Sequence, residues 1–124
     1  MRKQLEMNKD LGALVDIELA CGLISEFIQG IDQGDFKYDE RTKSAVVYQL
    51  LIIGEATTRL SNKHRSEFDE TPWKLMVGMR NALIHGYHIV NWDQVWRTCQ
   101  KYIPELIVQV KKQTSIIKKR EGSI

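Results

Sequence analysis

The chain has 124 residues, a length typical of one domain, and its 43% hydrophobic and 27% charged residues exclude a disordered protein. The net charge of +2 conceals an asymmetry. Residues 1–70 carry 9 Lys/Arg and 13 Asp/Glu, whereas residues 71–120 carry 9 Lys/Arg and only two acidic residues. A basic C-terminal half favours an anionic partner, either nucleic acid or an acidic protein, or an electrostatic match between the two halves.

Membrane, secreted and metal-binding classes find no support in the sequence. No apolar run approaches the roughly 18 residues of a transmembrane helix, and the N-terminus lacks the apolar segment of a secretory signal. Cys21 and Cys99 are far apart and have no CxxC spacing, so we expect free thiols in a cytoplasmic protein. The three histidines lack matching carboxylate or cysteine spacing, so we expect neither a metal site nor a cofactor.

The hydrophobic pattern predicts helices throughout. Apolar residues at spacings of three and four predict a first helix over 8–29, and residues 30–39 are predicted to form a loop. A second helix is predicted over 40–60, with Asp39 as its N-cap. This helix is apolar on two sides, which indicates a central or interface position, and Gly54 within it indicates the close approach of another helix.

The second half of the chain is punctuated by capping signals. Residues 61–70 are predicted to be a polar connector with His64 on its solvated surface. Thr71 and Pro72 are expected to open a third helix as its N-cap and first residue, and Gly86 to end it. Asn91 and Gln94 (a capping box) predict a fourth helix that begins at Trp92. Pro104 predicts a kink or a restart of that helix.

We therefore expect a single all-α domain over 1–124, an up-and-down bundle of four to five helices that dimerises through a face including the second or third helix. The core is expected over about 8–110. Residues 111–124 form a basic tail, which is either a solvated surface or a contact for RNA or a partner protein.

The segment most informative about function is 79–91, MRNALIHGYHIVN. Arg80 supplies a permanent cation whose planar fork matches phosphate, and His85 can exchange a proton near neutral pH. Tyr87 offers a hydroxyl that can donate a hydrogen bond or be modified. Arginine and histidine without carboxylate ligands suit metal-free phosphodiester chemistry. A purely structural interpretation stays open, in which Arg80 pairs with an acid, His85 ends the helix and Tyr87 packs on the core.

Helix geometry constrains how Arg80 and His85 can cooperate. Five helical residues turn by about 140° net and rise by about 7.5 Å, so the two side chains do not share one face. Two copies of the chain related by a two-fold axis could bring both pairs into one cleft. Glu55 is a carboxylate in the most apolar helix, and our hypothesis is that it orients Arg80 or a cation of the second chain. The alternative is that Glu55 faces solvent.

The motif from Arg80 to Tyr87 resembles the R-x4-H-x-Y signature of HepT-type ribonuclease toxins of the HEPN superfamily. The resemblance covers about residues 10–110. It includes the IGEA sequence at 53–56, the RLS sequence at 59–61, GMRN at 78–81 and IPEL at 103–106. Asn81 matches the polar residue that often follows the motif arginine and is expected to support it, whereas His88 lies outside the motif spacing.

The resemblance implies a helical homodimer that acts as a metal-independent endoribonuclease. Arg80 would stabilise the charge on the phosphate in the transition state, and His85 would act as general acid or base. Attack by the RNA 2′-OH would leave a 2′,3′-cyclic phosphate and would spare DNA. Whether the RNA is tRNA or mRNA stays open.

The resemblance also implies a type VII toxin–antitoxin module. In this family the antitoxin is a minimal nucleotidyltransferase, MntA, that transfers AMP to the motif tyrosine, which is Tyr87 here. Added charge and bulk would close a site that must receive a phosphate. Two alternatives remain: a non-catalytic substrate-binding partner of a nucleotidyltransferase, which would not need the Arg80, His85 and Tyr87 set, and a structural dimer that has lost activity.

Overall fold

The computed structural model describes residues 1–122, and within them every regular element is helical. The α-helices are α1 (Arg2–Phe27), α2 (Gln33–Tyr38), α3 (Glu40–Arg59), α4 (Asn62–Glu67), α5 (Trp73–His85), α6 (Trp92–Arg97) and α7 (Ile103–Gly122). A 3₁₀ turn covers Tyr87–Ile89, and a π-helical turn over Thr98–Tyr102 joins α6 to α7. The expected all-α bundle is confirmed.

The long helices α1, α3, α5 and α7 form the bundle, and the short helices connect them. Helix α1, about 39 Å long at 1.5 Å per residue, packs against both α3 and α7, and α3 packs against α5 on its other side. Helix α3 is therefore internal to the bundle, as its two apolar sides predict. The central core side chains are Ala13, Leu14, Ile17, Cys21, Ile24, Val46, Leu50, Ile53, Ala56, Met76, Leu83, Ile103, Leu106 and Val110.

Several predicted boundaries are confirmed by local hydrogen bonds. The Asp39 carboxylate caps α3 by accepting hydrogen bonds from the backbone N–H and the hydroxyl of Thr42, and these bonds lower the pKa of Asp39. Asn91 Oδ1 accepts the N–H of Gln94 and caps α6. Pro104 lies in the first turn of α7, directly after the π-helical turn, so the helix restarts where its missing N–H predicts.

Three local predictions are wrong. Helix α1 begins at Arg2 rather than at residue 8, and the predicted loop 30–39 contains α2. Asp32 caps α2 by accepting the N–H of Asp35, and the helix buries Phe36. Thr71 does not cap α5, because the helix begins at Trp73 and the Thr71 hydroxyl instead accepts a hydrogen bond from Gln113.

The predicted polar connector 61–70 is also wrong, because it contains helix α4 and a buried polar network. His64, predicted to be solvated, is only 3% exposed. Its Nε2 lies 2.8 Å from Gln113 Oε1, and Gln113 Nε2 donates to Thr71 Oγ1. Ser61 caps α4 and donates to the buried Asp10 carboxylate of α1. The network joins α1, α4 and α7, and burial makes each hydrogen bond in it costly to lose.

Gln113→Leu tests this network. The substitution keeps the side-chain volume similar but strands His64 Nε2 without its acceptor, so the free energy of unfolding should fall by about 2 kcal/mol in urea titrations. Gln109→Leu is the matched control on α7, because Gln109 Oε1 is buried without a hydrogen-bond partner and its removal should cost nothing. Equal stability of the two variants would show that the network contributes no net stabilisation.

The packed core continues beyond residue 110, into the segment predicted to be a basic tail. Helix α7 runs to Gly122, and Gln113 and Ile117 are buried. Arg120 donates two hydrogen bonds to the Glu67 carboxylate of α4, which lowers the pKa of Glu67. The predicted fraying near Gly122 does not occur before that residue, and residues 123–124 of the tail lie outside the described residues.

Both cysteines are buried free thiols. Burial raises the pKa of Cys21 and of Cys99 to about 12, and the negative charge of Glu18 adds to the effect at Cys21. We expect neither thiol to react with iodoacetamide at pH 7.5 in the native protein, and both to react in urea, as read by intact mass. Labelling of the native protein would mean that the core around α1 or the π-helical turn opens readily.

Within residues 1–122, no helix combines the length and the apolar composition needed to cross a lipid bilayer.

Candidate active site

Helix α5 and the turn after it carry the motif residues. Arg80 lies in the second half of α5, His85 is its last residue, and Tyr87 begins the 3₁₀ turn. The helix ends where the N–H of Gly86 donates to the carbonyl of Ala82, and the N–H of Ile89 donates to Gly86 to close the turn. Gly86 follows the helix as predicted, with a φ of −138°. The motif therefore spans a helix terminus, where successive side chains leave the axis in different directions.

Arg80 packs closely against Gly54 of α3. A Cβ atom at position 54 would lie 2.3 Å from Arg80 Cβ and 3.1 Å from the carbonyl oxygen of Met76. No other residue type leaves room for this contact, so the predicted role of Gly54 in a close helix approach is confirmed. The approach of α3 fixes the base of the Arg80 side chain.

Only part of the hydrogen-bonding capacity of the Arg80 guanidinium is satisfied. Its Nη1 lies 3.5 Å from Glu55 Oε2, a distance longer than an ordinary hydrogen bond, so the contact is mainly electrostatic. Its Nε is buried and has no hydrogen-bond partner. A buried unpaired donor costs free energy, and a catalytic role is one of the explanations for such a group in a native structure. The Glu55 carboxylate is largely exposed but does face Arg80.

One chain does not bring Arg80 and His85 into the same cavity. Arg80 lines a cavity of about 450 Å³ together with Glu55 and Ile84. His85 is exposed and lines a separate cavity of about 610 Å³ between α5 and α6. This separation agrees with the 140° expected between positions five residues apart on a helix. Asn81 is exposed and lines neither of these cavities.

Tyr87 is held by an aromatic support that the sequence did not predict. Tyr87 is 45% exposed, and its ring forms a T-shaped pair with the Trp92 ring at a centroid distance of 5.9 Å. Trp92 in turn contacts Phe36 of α2, and Lys43 Nζ lies 4.6 Å from the Trp92 ring centroid. Lys43 is buried and donates to the carbonyl of Lys37. Lys43 lies in the polar sequence ERTKS at 40–44, which carries no signal of this support.

An exposed apolar surface borders the Arg80 cavity. We call it the apolar face. Leu51 and Ile52 of α3 line the cavity itself, and Ile84 at its edge is 51% exposed. Tyr48, one turn before Ile52, is 62% exposed, as is Leu19 of α1, three residues after the cavity residue Asp16. The remaining exposed apolar residues of α1 nearby in sequence are Val15 and Leu23. Exposed apolar residues grouped by helix spacing beside a cavity are typical of interaction sites.

Potential metal-ligating side chains are not clustered in the described part of the chain. Among residues 1–122, no three His, Cys, Asp or Glu side chains are grouped so that they could hold a metal ion. His88 is exposed in the 3₁₀ turn, and the buried His64 is hydrogen-bonded to Gln113.

The family described as "Ribonuclease HepT-like" matches residues 17–113, which include α3, α5, the 3₁₀ turn and α6. The chain belongs to the HepT-like ribonuclease family. This membership confirms the resemblance that the R-x4-H-x-Y motif carries.

Three relatives of this HepT-like protein show how far the similarity extends. A Thermococcus cleftensis protein named "Probable ribonuclease HepT" is 41% identical over 75% of this chain and 84% of its own length. Two others are each named "Putative RNase". The one from Caldanaerobacter subterraneus subsp. tengcongensis is 42% identical over 74% of this chain and 82% of its own length. The one from Methanocaldococcus jannaschii is 35% identical over 84% of this chain and 92% of its own length. No solved structure is significantly similar to the chain.

Proposed function

We propose that this protein is a metal-independent endoribonuclease and the toxin of a type VII toxin–antitoxin module. The observation that carries the proposal is the Arg80 guanidinium, whose hydrogen-bonding capacity is only partly satisfied. Arg80 packs against Gly54 and lies five residues before an exposed histidine in a HepT-like chain. Its arginine, histidine and tyrosine favour this function over a non-catalytic substrate-binding partner, which would not need all three.

Arg80 and His85 have separate roles in the proposed reaction. The Arg80 fork donates to the non-bridging phosphate oxygens, where negative charge increases in the transition state. His85 accepts the proton of the attacking 2′-OH or donates one to the leaving 5′-oxygen. The bond between phosphorus and the 5′-oxygen breaks as the 2′-oxygen bonds to phosphorus, which leaves a 2′,3′-cyclic phosphate. Glu55 orients Arg80, and Asn81 supports the motif.

A homodimer supplies the complete site in this proposal. Within one chain Arg80 and His85 line separate cavities, and the apolar face borders the Arg80 cavity. A second copy packed on the apolar face covers this surface and brings a second pair of motif residues to the two-fold axis. The pairs of both chains then line one cleft for RNA, either tRNA or mRNA.

Tyr87 is the proposed site of control by an MntA-like nucleotidyltransferase antitoxin. Its side chain is exposed and lies two residues beyond His85 on a turn supported by Trp92. Transfer of AMP from ATP to the Tyr87 hydroxyl releases pyrophosphate and places a phosphodiester beside the cleft. The added negative charge and bulk repel and block the RNA backbone.

Two measurements test the proposed function. Purified protein in EDTA should cleave a defined RNA to products that end in 2′,3′-cyclic phosphate and should leave the matching DNA intact. Incubation with an MntA-like enzyme and ATP should then add mass in multiples of AMP and abolish cleavage, while Tyr87→Phe should stay active and unmodified. Absence of cleavage by the unmodified protein would contradict the proposed activity.

A further inference from the structure

The cavity that contains Arg80 also contains a second arginine. Arg59 and Asp16 line it together with Arg80 and Glu55, so two cations and two carboxylates meet in a space of about 450 Å³. Glu55 and Arg59 are four residues apart on α3 and therefore lie about 6 Å apart along one face of the helix. The two arginines come from different helices, α3 and α5, and reach the same cavity.

The Arg59 guanidinium is oriented by a contact that uses only part of its hydrogen-bonding capacity. Its Nη2 donates to Asp16 Oδ2 at 2.7 Å, which fixes the direction of the guanidinium. Roughly two-fifths of the Arg59 side chain is exposed. A guanidinium has five N–H donors, so further donors remain for a ligand that enters the cavity. Exposed ion pairs of this kind contribute little to stability, so the contact with Asp16 adds little to the stability of the fold.

We infer that Arg59 binds an RNA backbone phosphate next to the one that Arg80 contacts, with Asp16 as the residue that positions it. The planar fork of arginine suits a phosphate, and an RNA backbone places a second phosphate beside the first. Arg59 is thus a substrate-binding residue that acts on affinity, whereas Arg80 acts on the reacting phosphate. This inference rests on the proposed ribonuclease function.

The test measures RNA binding separately from cleavage. In a His85→Ala background, which prevents turnover, the affinity for a labelled single-stranded RNA is measured by fluorescence anisotropy in EDTA at several salt concentrations. Arg59→Gln should weaken binding about tenfold, because it removes charge-assisted hydrogen bonds to phosphate. It should also lower the slope of log affinity against log salt by about 0.7, the value for one phosphate contact on a single strand. Arg59→Lys should retain most of the slope.

Arg65→Gln is the matched control. Arg65 lies on α4, donates to Asn62 and lines a different cavity, so the variant loses the same charge away from the site. Cleavage by Arg59→Gln with His85 intact should show a raised KM and a nearly unchanged kcat, which loss of a structural clamp would not produce.

The outcomes separate failure of the inference from failure of the proposed function. If Arg59→Gln binds RNA with the affinity and salt slope of Arg65→Gln, Arg59 makes no phosphate contact and the inference is overturned. Loss of the dimer in Arg59→Gln, detected by light scattering, would overturn it in favour of an interface contact. If the His85→Ala protein with intact Arg59 fails to bind RNA and the wild type fails to cleave it, the proposed function itself fails.

Discussion

Arg80→Ala and His85→Ala should each lower the initial rate of RNA cleavage in EDTA by a factor of at least about 100, since each removes a group acting on the transition state. Arg80→Lys should also be impaired, because lysine keeps the charge but lacks the planar fork. His88→Ala is the matched control, an exposed histidine three residues beyond His85 whose loss should leave the rate unchanged. A fully active His85→Ala protein would contradict the assigned role of His85.

Mixing the two inactive variants shows whether the site is shared between chains. A heterodimer of Arg80→Ala with His85→Ala contains one intact arginine and one intact histidine, which lie on different chains. Recovery of part of the wild-type rate after the mixture is unfolded and refolded would mean that the residues cooperate across the interface. Absence of recovery, with heterodimers present, would mean that each chain uses its own pair.

Gly54→Ala should destabilise the protein and abolish cleavage, although helix propensity alone predicts stabilisation by about 1 kcal/mol. The new methyl group would lie 2.3 Å from Arg80 Cβ and 2.8 Å from Arg80 Cγ. Helices α3 and α5 must then separate, and overpacking of this kind costs about 1–3 kcal/mol. The displaced guanidinium would no longer reach the phosphate. Thermal unfolding and the cleavage assay measure the two effects.

Gly78→Ala is the control for this substitution. Gly78 lies on α5, two residues before Arg80, and a Cβ there would meet no atom within 4 Å. The variant should be slightly more stable than the wild type through reduced backbone entropy of the unfolded chain. If Gly54→Ala were as stable and as active as Gly78→Ala, the close contact between Gly54 and Arg80 would have no functional meaning.

Features that depend on a few neighbouring residues were predictable. Asp39 and Asn91 cap helices because their acceptors lie three residues from the N–H groups they bind, and Pro104 restarts a helix through its own missing N–H. The burial of His64 was not predictable, because its partner Gln113 is 49 residues away. A polar side chain among polar neighbours carries no sequence signal of such a partner.

The candidate site also combines features that the sequence predicts with features that only the tertiary structure decides. The sequence contains the motif spacing of Arg80, His85 and Tyr87 and also Gly54. Local helix geometry alone predicted that the Arg80 and His85 side chains point in different directions. Only the packing of α3 on α5 decided that Gly54 meets Arg80, and only the packing of α1 on α3 placed Asp16 against Arg59. Helical periodicity is a local property, whereas the partner of each face is chosen by burial of the whole core.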